Sequence, residues 1–75
     1  MKRGEIDRAI ADFTRALEIN PDLSFVYMNR GLALMLQGKD ADAQKDFERC
    51  VALDPVLKVE LDRRIEKVKQ LRANN

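Results

Sequence analysis

Apolar residues near the start of the chain fall on a single helical stripe. Ile6, Ala9, Ile10, Phe13, Ala16 and Leu17 recur at spacings of three and four residues, which predicts a helix near residues 5–19. The next segment carries two such series. Tyr27, Gly31 and Leu34 lie at i, i+4 and i+7, and Met28, Leu32 and Met35 repeat that spacing one residue later. A helix apolar on two faces is packed on more than one side or offers one side to a ligand, so a central element is expected near residues 23–37. Asp22 or Ser24 is suited to cap its start, and Gly38 sits where a left-handed residue would end it. Ala43, Phe47, Cys50 and Val51 form a thinner stripe beside Asp40 and Gln44, predicting a third helix near residues 40–53. Leu57, Leu61, Ile65, Val68 and Leu71 mark a fourth near residues 56–72. There Asp54 is the expected cap, and Pro55 occupies a first helical position where a missing N–H costs nothing.

The stripes are also related by a fixed offset. Gly4, Ala9, Phe13, Ala16 and Pro21 recur 34 residues later as Gly38, Ala43, Phe47, Cys50 and Pro55, and Asp12 and Leu17 correspond to Asp46 and Val51. A glycine, small residues and a phenylalanine ahead of an Asn-Pro or Asp-Pro step, all in one register, describe a helical repeat. The chain resembles a tetratricopeptide repeat, whose 34-residue unit carries W-x2-L-G-x2-Y, then A-x3-F, then P. Here the unit reads Tyr27-x2-Arg30-Gly31-x2-Leu34, Ala43-x3-Phe47 and Pro55, so tyrosine, arginine and leucine replace three family residues.

That resemblance implies an all-α, antiparallel helix-turn-helix architecture, a fragment of an α-solenoid with about four helices in one domain over residues 1–75. Residues 4–21 correspond to the second half of a repeat, 22–55 to a full repeat, and 56–73 to a C-terminal capping helix. It further implies a scaffold that binds a protein or peptide in a concave groove lined by the central helix. Phe25, Met28, Asn29, Leu32, Met35 and Leu36 are the expected groove residues, with Asn29 placed to hydrogen-bond the backbone of an extended peptide. Met28, Leu32 and Met35 suit a helix-helix core equally well. The carboxylate-clamp version of the family needs lysine and arginine on neighbouring repeats and is not assigned.

The first segment matches only half a repeat, so its stripe of Ile6, Ile10, Phe13 and Leu17 is expected to have an open side and to support self-association, with a homodimer as the simplest closed form. Arg30 is expected to pair with Asp42 or Asp46, and Cys50 to be a small core residue in an alanine site.

Composition narrows the chemistry. The 75 residues include no histidine and one cysteine, which removes the commonest general base and metal ligand, so no enzyme activity, metal or cofactor is expected. A net charge of +1 gives little attraction for nucleic acid. From residue 56 onward six basic residues face three acidic ones, and Arg63, Arg64, Lys67, Lys69 and Arg72 read as a solvated face interleaved with Glu60, Asp62 and Glu66. The sequence carries no apolar run of membrane-spanning length and no signal-peptide core, so a cytoplasmic protein without membrane association is expected.

Overall fold

Local chemistry sets where each helix starts and stops. The computed structural model describes residues 2–74, and among these the chain forms four α-helices and no strand. They are α1 (Arg3–Ile19), α2 (Ser24–Leu36), α3 (Asp40–Leu53) and α4 (Lys58–Ala73), with a 3-10 turn at Pro55–Leu57 leading into α4. Gly38 ends α2 at φ +80°, a conformation that a side chain would strain. Its N–H donates to the Met35 carbonyl at 2.9 Å, and the Lys39 N–H donates to the Leu34 carbonyl at 2.9 Å, so the chain reverses into α3 within three residues.

The start of α2 departs from expectation. Neither Asp22 nor Ser24 caps it: Leu23 occupies the cap position without a side-chain bond, and Ser24 is already helical. The Asp22 N–H instead donates to Asn20 Oδ1 at 3.1 Å, and the Tyr27 hydroxyl donates to the Pro21 carbonyl at 3.0 Å. Those two bonds hold the turn in place of a cap. At the fourth helix Asp54 stands at the cap position with no side-chain bond, and Pro55 opens the 3-10 turn rather than α4 itself.

The hub of the fold is α2, which packs against α1, α3 and α4. Its closest approach is to α3, where the ring of Phe47 lies over Gly31. A Cβ built on Gly31 would stand 2.8 Å from Cδ1 of Phe47 and closer still to Cε1, so the absence of a side chain admits the ring. Ala43 and Cys50, one turn to either side of Phe47, are fully buried and extend the same close contact. Met28, Met35, Leu61 and Val68 complete the buried cluster.

A polar clamp braces this hairpin. The Arg30 guanidinium donates to both Asp46 carboxylate oxygens at 2.8 Å, and its third nitrogen lies 3.3 Å from Thr14 Oγ1 on α1. Asp46 is 6% exposed, so its charge is compensated by a two-point match of planar groups. The hydrogen bond to Asp46 raises the Arg30 pKa further, and the guanidinium sits 5.8 Å from the Tyr27 ring centroid. Of the two partners the sequence suggests, Asp46 is the one used.

Although their sequences repeat, α1 and α3 turn different faces inward. On α3 the buried positions are Ala43, Asp46, Phe47 and Cys50. Their counterparts on α1, Ala9, Phe13 and Ala16, are only half-buried, and Asp12 is exposed. The buried residues of α1 are instead Ile6 and Leu17. The expected open stripe is therefore corrected in part: Ile6 and Leu17 are covered within the chain, Ile10 and Phe13 are half-covered, and the accessible face is rotated toward Asp12 and Phe13.

Two outcomes follow for urea unfolding. Gly31→Ala, which in an ordinary helix gains about 0.5–1 kcal/mol, should here lower stability by about 1–3 kcal/mol because the methyl group overpacks Phe47. Arg30→Ala should cost about 3–5 kcal/mol by stranding the buried Asp46 carboxylate, and Arg30→Met combined with Asp46→Leu should recover most of that loss.

Candidate functional site

Where α4 leans on α2 a cleft opens between them. Leu61 and Val68 of α4 are buried, at 2% and 8% exposure, and anchor the helix to the core. The cleft, about 370 Å³, is lined by Leu32 of α2 and by Glu60, Arg63, Arg64, Lys67, Val68 and Leu71 of α4. Leu32, Val68 and Leu71 supply an apolar floor, and the basic side chains stand along the α4 side. The Glu60 carboxylate is already engaged: Arg64 Nε donates to it at 2.8 Å and Arg63 lies at 3.9 Å. The hydrogen bond from Arg64 holds the Glu60 carboxyl below the usual carboxylate range. The wall of the cleft is consequently cationic.

The expected groove residues divide. Met28 and Met35, at 3% and 5% exposure, belong to the core rather than to an accessible surface. Leu32 lines the cleft, while Asn29 and Leu36 are half-buried and Phe25 is 58% exposed without lining it. The two apolar series of α2 are thus both used for packing, because the helix is covered by neighbours on three sides.

The basic residues of the last helix are all exposed, as expected of a solvated face, but they make different contacts. Arg72 pairs with Asp40 at 3.0 Å and ties the end of α4 to the start of α3. Arg63, Arg64 and Lys67 line the cleft instead. Periodicity alone did not single them out. The 34-residue offset carried one step further singles out Arg63 alone, since it maps Asn29 onto that residue.

A larger cleft of about 540 Å³ lies between α3 and α4, with Phe47, Val51, Leu61 and Ile65 among its lining residues. Of its charged lining residues, Lys58 and Asp62 pair with each other at 2.7 Å and Glu48 adds a negative charge. It lacks the cationic wall of the α2–α4 cleft.

Cys50 is fully buried, and burial pushes its thiol pKa up, with the Asp54 charge adding to the effect. Its reaction with a disulfide reagent should therefore be slow in the native protein and accelerate at least about 100-fold in denaturant, followed by absorbance of the released thiolate.

Sequence comparison agrees with this architecture. The family model described as TPR repeat matches residues 1–38, and the one described as Tetratricopeptide repeat matches residues 24–55. An uncharacterized protein of Methanocaldococcus jannaschii is 31% identical over 52 residues, covering 69% of this chain and 60% of that protein. Tetratricopeptide repeat protein 36 of Mus musculus is 40% identical over 50 residues, and its Homo sapiens counterpart 36% over 55. The matches cover 67% and 68% of this chain but only 27% and 29% of those two proteins. No solved structure matches the chain significantly. With one match over residues 1–38, half of the chain, and a second spanning the Gly31–Phe47 hairpin, the chain belongs to the tetratricopeptide repeat family.

Proposed function

We propose that the α2–α4 cleft binds a protein segment that is acidic and partly apolar. Repeats of this family generally mediate protein–protein interaction rather than catalysis. The observation that carries the proposal is the pairing of an apolar floor with a cationic wall whose Glu60 is already neutralised by Arg64. An incoming carboxylate meets Arg63 and Lys67, while an apolar side chain beside it displaces water from Leu32 and Leu71. Asn29 and the exposed Phe25, on the neighbouring surface of α2, extend the contact to the backbone and flank of the segment.

Self-association through α1 is the second reading. The half-buried Ile10 and Phe13 support it, whereas Ile6 and Leu17 are spent within the chain. Sedimentation separates the two readings, since a monomer that binds peptide supports the cleft and an Ile10-dependent dimer supports the edge.

The probe for the cleft is a fluorescent peptide in which Glu and Leu alternate. Arg63→Glu with Lys67→Glu should weaken its binding by at least about tenfold, and raising salt from 0.05 to about 0.5 M should weaken binding to the unmodified chain. Asn29→Ala should cost about 1–3 kcal/mol of binding while leaving the helical circular dichroism unchanged. Binding that ignores both the charge reversal and salt would rule out the α2–α4 cleft as the site.

A further inference from the structure

The cations that line the α2–α4 cleft are largely unspent within the chain. Arg63 and Lys67 lie one turn apart on α4, which sets their Cβ atoms about 5–6 Å from each other, and Arg64 stands between them. Lys67 belongs to no ion pair among the described residues, and Arg63 approaches only Glu60, at 3.9 Å. Arg64 engages Glu60 through Nε at 2.8 Å, which leaves its two Nη nitrogens to donate elsewhere. Lys58 and Arg72 differ, since they are paired with Asp62 at 2.7 Å and with Asp40 at 3.0 Å outside this cleft.

Counting charge decides which anion fits. Three cations and one carboxylate line the cleft, a net charge of +2, and α2 adds only Leu32. A lone carboxylate brings a single negative charge and competes for the guanidinium groups with Glu60, which is already tethered beside them. It also leaves a cation uncompensated next to the apolar floor. A phosphomonoester brings a charge of about −1.5 to −2 at pH 7 and three acceptor oxygens, enough for Arg63, Lys67 and the free edge of Arg64 together. We infer, on the reading of the α2–α4 cleft as a peptide site, that the acidic group it takes is a phosphoserine or phosphothreonine with an apolar neighbour in the same segment. The phosphate neutralises the wall, and the neighbouring side chain covers Leu32 and Leu71.

The test compares three fluorescent peptides, identical except for serine, phosphoserine or glutamate between two leucines, by anisotropy with the full chain. At pH 7.5 the phosphoserine peptide should bind at least about tenfold tighter than the glutamate peptide, and the serine peptide weakest. At about pH 5 the phosphate loses its second charge while a glutamate side chain remains mostly ionised, so the advantage should shrink at least about threefold. The only carboxylate lining the cleft, Glu60, keeps its charge in this window because the hydrogen bond from Arg64 holds it below the usual carboxylate range. The loss is therefore the ligand's.

Lys67→Gln should remove most of the phosphate advantage, whereas Lys45→Gln, the same change of charge at an exposed site on α3 outside the cleft, should leave it intact. Circular dichroism checks that both variants keep their helices. Replacing the two leucines of the phosphoserine peptide with asparagine should weaken it at least about fivefold. Equal affinity for phosphoserine and glutamate would overturn the inference and leave the cleft as a site for acidic segments. An advantage that persists at pH 5 or survives Lys67→Gln would overturn it as well, and so would indifference to the leucines, the mark of a bare phosphate site. If no peptide binds, the cleft itself fails and the inference with it.

Discussion

The fold depends on one close approach, that of the Phe47 ring to the bare Cα of Gly31. Two helices can come this near only where one lacks a side chain, and the ring then fills the space between them. Ala43 and Cys50 keep the approach open along a full turn on either side of the ring, which is why both are completely buried. The α2–α3 hairpin so formed is the unit on which the other elements dock.

Directionality comes from a second, polar contact. Apolar packing tolerates sliding, whereas the two-point match of Arg30 to Asp46 fixes the register of α3 along α2. The same guanidinium reaches Thr14, so α1 is oriented by the group that locks the hairpin. With α2 gripped by α3 and braced against α1, its remaining surface meets α4 through Leu61 and Val68. The cleft beside that contact inherits its apolar floor from the same packing. Its charge comes from α4, where Arg64 quiets Glu60 and leaves the wall cationic.

A repeated sequence produces unequal surfaces because each helix is judged by its neighbours. The offset that equates Ala9, Asp12, Phe13 and Ala16 with Ala43, Asp46, Phe47 and Cys50 says nothing about which set is covered. On α3 these residues meet α2 and vanish from the surface, while α1 meets the same helix through Ile6 and Leu17. At α4 the pattern is altered at Ile65, so that helix packs on α2 without offering the glycine that a further hairpin partner would use.

Helix number and order, the Gly38 reversal, the burial of Cys50 and the family were all legible in the sequence. Each rests on local spacing or on a residue type with one dominant physical use, such as a glycine at positive φ. The role of Met28 and Met35 was not legible, since a methionine stripe on a two-faced helix fits a groove as well as a core until its neighbours are known. The charged lining of the cleft was likewise hidden, because Arg63, Arg64 and Lys67 become a wall only when α4 is laid across Leu32. Periodicity is a property of one helix and survives in the sequence. Which face is buried is a property of two, and only tertiary packing decides it.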